Sequence, residues 1–184
     1  MLGLILVFNS STYLSSSIPN DARWLTVFFV FLFTCLLPLL NVLYLQKKGI
    51  VDSIYLTTRN ERKLPYAITV VYYIVLYYLL KELQIPPILF LIVIGSTLAT
   101  AVAFIVNFKW KISAHMIGIG GIIGMILGIS ERLTLNLNSL LIFLFIIAGL
   151  IGFSRLKLKA HNPSQVYLGF IVGVGCLFLT ILWA

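Results

Sequence analysis

Acidic residues are almost missing from this chain: five Asp and Glu stand against thirteen Lys and Arg in 184 residues. That scarcity leaves no paired Asp-rich segments of the kind that hold a diphosphate through Mg²⁺, and few hard ligands for any divalent cation. Charge of either sign is rare, at 10% of residues, well below the share a soluble domain carries. With 61% of residues hydrophobic and a mean hydropathy of +1.09, the polar surface is too small to cover a soluble core, and the composition is that of an integral membrane protein. Cysteine is limited to Cys35 and Cys176. Both fall inside apolar runs and read as inert core thiols rather than a disulfide or a metal pair. The opening apolar run, Leu2 to Phe8, is too short to span, and it lacks the basic flank and small-residue cleavage site of a signal peptide. No internal repeat and no low-complexity domain linker is visible.

What the chain has instead is long apolar runs. A bilayer needs about 20 apolar residues per helical span, and six runs fit that reading: Trp24 to Gln46, Pro65 to Leu80, Pro86 to Phe108, Ile112 to Ile129, Asn136 to Phe153 and Pro163 to Trp183. The expected fold is all-α, a six-helix transmembrane bundle over residues 24–184. Residues 1–23 read as an interfacial or re-entrant lead-in, with a flexible Ser-rich piece from Ser10 to Asn20. Pro38 predicts a kink in the first span. The segment GIGGIIGMILG looks superficially like a nucleotide-binding loop, but no strand precedes it. Its Gly120, Gly124 and Gly128, four residues apart, predict close helix packing. Tyr72, Tyr73, Tyr77 and Tyr78 read first as packing or interfacial aromatics and second as walls of a lipid-tail groove.

The charges separate by membrane face. With even alternation of the spans, one face collects Lys47, Lys48, Arg59, Arg62, Lys63, Lys109, Lys111, Arg155, Lys157 and Lys159 against Asp52 and Glu61. The other face balances Arg23, Lys81 and Arg132 against Asp21, Glu82 and Glu131. The basic face therefore carries the entire formal net charge of +8. The positive-inside rule accounts for the lysines and makes this face cytoplasmic. It accounts less well for both histidines, His115 and His161, falling on the same face.

Three segments on that face can converge: TTRNERKLPY (Thr57 to Tyr66), KWKISAH (Lys109 to His115) and SRLKLKAHNPSQ (Ser154 to Gln165). Together they offer guanidinium and ammonium donors, two imidazoles and two helix starts, with few carboxylates. Such a set suits a phosphate oxyanion, and His can attack phosphorus or protonate a leaving oxygen.

Ser154, Arg155 and His161 resemble the third signature of the type 2 phosphatidic acid phosphatase superfamily, the lipid phosphate phosphatases and vanadium haloperoxidases, written SR-x5-H-x3-D. Ser113 and His115 resemble its second signature, PSGH, with Ile112 and Ala114 at the Pro and Gly positions. The first signature, K-x6-RP, is poorly met: anchored on Pro65, it finds Leu64 and Thr57, with Arg59, Arg62 and Lys63 as displaced candidates. The resemblance covers roughly Trp24 to Ala184 and implies hydrolysis of a phosphomonoester or diphosphate through a phosphohistidine, with no metal and no cofactor. In that scheme His161 attacks phosphorus and His115 protonates the leaving alkoxide. Arg155, with Arg62, Lys63, Arg59 or Lys111, neutralises phosphate oxygens, and Ser113 and Ser154 help to hold them. Gln165 replaces the signature's Asp, so it can orient the His161 ring but supplies no charge.

The implied partner is a membrane lipid phosphate, such as phosphatidate, phosphatidylglycerol phosphate or a polyprenyl diphosphate; nucleic acid is not an expected partner. The missing organelle signals are compatible with a bacterial inner membrane. Two other readings remain open. One is a catalytically degenerate lipid-phosphate binder or membrane scaffold. The other is a prenyltransferase, which the shortage of acids disfavours.

Overall fold

The computed structural model describes residues 20–56, 58–83 and 85–183. Among the described residues there is no strand, and six helical segments are long and apolar enough to cross a membrane. The protein is an all-α, multi-pass integral membrane protein. Its first crossing is made of α1 (Asn20–Phe31) and α2 (Leu37–Lys47), joined by a π-helical turn, Leu32–Leu36. Then follow α3 (Lys63–Lys81), α4 (Pro87–Asn107), α5 (Ala114–Arg132), α6 (Asn138–Lys157) and α7 (Pro163–Trp183). The lead-in expected over residues 1–23 lies largely outside the described residues, and residues 20–23 already belong to α1.

Pro38 explains the π turn. A proline inside a helix lacks the N–H that would bond the carbonyl four residues back, and its ring crowds that carbonyl. The Leu37 N–H instead reaches the Leu32 carbonyl, five residues back, and the widened turn accommodates the ring. The kink predicted from Pro38 is therefore a π-bulge. Cys35 sits on this turn and is exposed, which corrects its reading as a core thiol; Cys176 is half-buried, and both thiols are free.

Helix α5 is the centre of the bundle. Eleven of its residues are buried, whereas α6 turns Ile142, Phe143, Ile146 and Leu150 outward, where lipid is their natural solvent. The most extensive packing is between α5 and α7, and glycine makes it close. A Cβ on Gly120 would run into the Phe170 carbonyl, one on Gly124 into the Val174 carbonyl, and one on Gly173 into the Ile117 carbonyl. At Gly169 the added carbon would lie 2.8 Å from the Ser113 oxygen. Two rows of glycine at four-residue spacing therefore interlock, backbone against backbone. In lipid no hydrophobic gain drives helices together, so this close dispersion contact is what joins them. The row on α5 is legible in the sequence; its pairing with Gly169 and Gly173 on α7 is a long-range contact that only the structure shows.

Helix ends shape the basic face. Helix α2 stops at Gly49, in the left-handed region at φ +70, where the Ile50 N–H returns to the Leu45 carbonyl. Helix α6 stops the same way at Lys159, at φ +51, with the Ala160 N–H on the Arg155 carbonyl at 3.1 Å. A residue with a side chain pays about 1–2 kcal/mol for that conformation, and the turn sends the chain straight into the α6–α7 connection. The fifth span therefore runs on to Lys157 instead of ending at Phe153, so Ser154 and Arg155 lie on the last helical turn and not in the loop. At the opposite end of the bundle, Arg132 Nη1 donates to the Ile181 carbonyl at 2.6 Å and closes the end of α7.

The seam can be tested by adding single methyl groups. Gly124→Ala is expected to destabilise the protein by about 1–3 kcal/mol, the usual cost of overpacking. At Gly118 and Gly149 an added carbon meets nothing within 4 Å, so alanine there gains up to about 1 kcal/mol of helix propensity. Thermal unfolding followed by circular dichroism separates the cases; equal midpoints for Gly124→Ala and Gly149→Ala would show that the seam is not limited by backbone contact.

Candidate active site

The α2–α3, α4–α5 and α6–α7 connections meet at one end of the bundle, and side chains strap them together. Arg59 Nη1 donates to the Lys109 carbonyl at 2.8 Å, and Asn107 Nδ2 donates back to the Arg59 carbonyl at 2.8 Å. Arg62 donates through Nε to the Leu56 carbonyl at 2.8 Å and through Nη1 to the Ile112 carbonyl at 3.1 Å. Lys111 Nζ donates to the Ala160 carbonyl at 3.0 Å, and the Ser113 N–H to the Gln165 carbonyl at 3.4 Å. Connections without regular structure leave carbonyls unpaired, and here cations supply the donors. The α2–α3 connection is fixed further by a reciprocal pair: Thr58 N–H donates to Glu61 Oε2 at 2.9 Å, and Glu61 N–H to Thr58 Oγ1 at 3.5 Å. Thr58 and Glu61 have the T-x-x-E spacing of a capping box, a local signal that charge counting alone does not use.

His161 lies between α6 and α7, buried at 8% exposure. Its Nδ1 is 2.9 Å from Gln165 Oε1, four residues on, and the Asn162 N–H donates to the same oxygen at 3.4 Å. An N–H can only donate, so the atom shared by these two contacts is the amide carbonyl oxygen. Nδ1 must then carry the ring proton, and Nε2 keeps its lone pair. Burial first, and then the positive charges of Arg62 and Lys111 and the nearby His115, push His161 down to about 4, against a partial upward pull from the Gln165 hydrogen bond. The ring is neutral at physiological pH.

Around it stand the other members. His115 is on the first turn of α5 with its side chain exposed, and the charges of Arg155 and Arg62 bear on it. Arg155 Nε donates to Ser154 Oγ at 3.3 Å. The Lys111 ammonium is lowered by burial and next by the Arg62 guanidinium. The structure thus gathers His161, Gln165, His115, Arg155, Arg62 and Lys111. It does not gather three other candidates. Lys63 Nζ turns to the Phe108 ring, 5.4 Å from its centroid. Arg59 is an exposed strap between two connections. Ser154 Oγ is bound to its own helix through the Ile151 carbonyl at 3.0 Å.

Ser113, the residue before α5, is fully buried, and its Oγ has no hydrogen-bond partner. The Tyr66 hydroxyl, one turn from Arg62, is likewise buried and lies within the influence of that guanidinium, and the sequence reading did not include it. Among the described residues, no three His, Cys, Asp or Glu side chains gather as a metal site would require. The arrangement is one neutral imidazole with a free nitrogen, a second imidazole, and a surplus of positive charge. Chemically it can bind an anion and exchange protons with it.

The electrostatics predict a pH limb. A base whose folded pKa is near 4 rather than 6.5 takes up its proton more readily when unfolded. Its contribution to stability is therefore complete above about pH 6.5 and is lost as pH falls toward 4. Unfolding midpoints measured across that window should decline in the wild-type protein and decline less in His161→Asn. The imidazole resonances of His161 should show its ring still neutral at pH 6; a His161 ring titrating near 6.5 would contradict the buried assignment.

No protein-family model matches this chain, and no curated protein or solved structure is significantly similar to it.

Proposed function

We propose that this protein is a membrane-embedded, metal-independent phosphohydrolase that cleaves a phosphomonoester or diphosphate of an amphiphilic lipid through a phosphohistidine. The observation that carries the reading is the 2.9 Å contact of His161 Nδ1 with Gln165, which leaves Nε2 neutral and nucleophilic on a ring that feels the charges of Arg62 and Lys111. The spacing of Ser154, Arg155 and His161, which resembles the type 2 phosphatidic acid phosphatase signature, supports it independently.

The lone pair of His161 Nε2 attacks phosphorus and the bond to the leaving oxygen breaks. His115 gives a proton to that oxygen, so an alcohol departs and phosphate is left on Nε2. Water then attacks phosphorus and gives a proton to His115, the P–N bond breaks, and inorganic phosphate leaves. Arg62, Lys111 and Arg155 neutralise the phosphoryl oxygens throughout, which is where most of the rate enhancement in phosphoryl transfer arises. Burial and the charges of Arg62 and Lys111 keep the His161 ring unprotonated for attack, while the negative charge of the bound phosphate offsets the charges of Arg155 and Arg62 at His115. The other seven cations of this face still outnumber its two acids, so the positive-inside rule favours a cytoplasmic site, as in a bacterial inner membrane.

A second reading has its own observation. Gln165 carries no negative charge, and the Arg62 and Lys111 donors already hold backbone carbonyls, so the site could bind lipid phosphates without turning them over.

Phosphate release from a panel of lipid phosphates by the purified protein separates the two. On the hydrolase reading His161→Ala removes turnover, whereas His115→Ala spares substrates with good leaving groups. Gln165→Asp sets a carboxylate against the developing imidazolium; a hydrogen bond to a charged group is worth about 1–3 kcal/mol, or roughly 5- to 150-fold in rate. Hydrolysis undiminished in His161→Ala would sink the mechanism. Vanadate binding without hydrolysis by any variant would establish the binder instead, and loss of activity on chelation with recovery on Mg²⁺ would remove both.

A further inference from the structure

A cavity of about 300 Å³ lies inside the membrane-spanning part of the bundle, walled by α1, α3, α4, α5 and α7. Its lining includes Leu76, Leu80, Leu89, Val93, Gly118 and Met125, and no Asp, Glu, Lys, Arg or His. Of its five hydroxyl residues, Thr26, Thr34, Tyr73, Ser96 and Thr100, Thr34 is tied back to the Val30 carbonyl at 2.7 Å and Thr100 to the Ser96 carbonyl at 2.8 Å. The wall therefore has no charge to offer an ion and suits hydrocarbon.

The register of α5 connects this cavity to the cation cluster. Gly118 lies three residues after His115, on the same helical face and about 4.5 Å deeper, and a carbon added there would meet nothing within 4 Å. From Thr100 to Leu89 on α4 the cavity continues for about 16 Å along the helix axis at 1.5 Å per residue. At roughly 30 Å³ for a water-sized group, comparable to a methylene, the volume holds about ten methylenes: one chain, not two.

We propose that this cavity is the chain compartment of the protein, holding a single hydrocarbon chain of an amphiphile whose anionic head lies at His115 and His161. The head placement rests on the phosphohydrolase reading; the compartment itself does not. The substrate class is then a single-chain phosphate or diphosphate, with Gly118 as the threshold and the Leu80, Leu89 and Met125 end as a floor that selects chain length. A diacyl lipid could insert only one of its two chains.

The test uses the full-length protein in lipid nanodiscs and decyl phosphate carrying a diazirine at the end of its chain, with the crosslink mapped by mass spectrometry. Labelling is expected at Leu80, Leu89 or Met125 and should fall about tenfold in Gly118→Leu, the scale on which overpacking excludes a group. Gly149→Leu, which also has open space around the added carbon, should leave labelling unchanged. Crosslinks confined to outward-facing α6 residues such as Ile142 and Leu150 would overturn the compartment, because the chain would then lie in the bilayer. Equal cavity labelling in wild type and Gly118→Leu would overturn the role of Gly118 as the threshold. Excess vanadate should displace the probe; cavity labelling that resists vanadate would uphold the compartment while removing the phosphate reading of the head site.

Discussion

The contact between the backbones of α5 and α7 is the constraint on which the rest depends. Gly120 and Gly124 on one helix and Gly169 and Gly173 on the other let main chains touch where side chains would hold them apart. The polar end of the bundle inherits that proximity. Ser113 and Gln165, at the starts of the two helices, come close enough for a backbone hydrogen bond, and the nearby side chains of His115 and His161 then share the charge of Arg62. Widening the seam by one methyl group would move the two imidazoles relative to each other before it altered any residue near them.

The cations have a double employment with a physical consequence. Arg59, Arg62 and Lys111 each donate to a carbonyl of another segment or of their own connection, so the charge cluster is assembled by the needs of unpaired backbone as much as by any ligand. Lys111 keeps further N–H groups beyond the one bound to Ala160, and Arg62 keeps donors beyond its two carbonyls. An anion can therefore be held without dismantling the straps. A bound anion would also relieve the mutual repulsion of Arg62 and Lys111, which contributes to the lowered affinity of the Lys111 ammonium for its proton.

The parts of this architecture that were legible in the sequence are those with a period or a fixed spacing. Six apolar runs gave the crossings because their length is set by the bilayer, and Gly120, Gly124 and Gly128 marked a packing face because four residues is nearly one helical turn. The His161 to Gln165 contact follows from the same spacing. Three things escaped. Arg59, Arg62 and Lys63 are interchangeable as sequence, yet Lys63 turns to Phe108 while Arg62 turns inward, a choice made by helix phase after the short 3₁₀ turn Asn60–Arg62. The extension of α6 through Arg155 depends on Lys159 adopting a left-handed conformation, which a lysine does not advertise. The partnering of Gly169 and Gly173 with α5 is a long-range fact, and a single sequence carries no sign of which glycine row meets which.

Gln165 balances two demands on the same ring. A neutral amide orients Nδ1 and favours its positive form only partly, so burial and the neighbouring cations still keep His161 near 4 and its Nε2 unprotonated across the whole neutral range. A carboxylate at this position would raise the ring's proton affinity, but from so low a starting point that most rings would still be neutral at pH 7. The loss of ground-state nucleophile would be slight, while the imidazolium that forms as nitrogen bonds to phosphorus would gain a counter-charge. The substitution therefore acts almost wholly on the transition state, and for a phosphohistidine mechanism the wild-type glutamine is a brake on turnover rather than on binding.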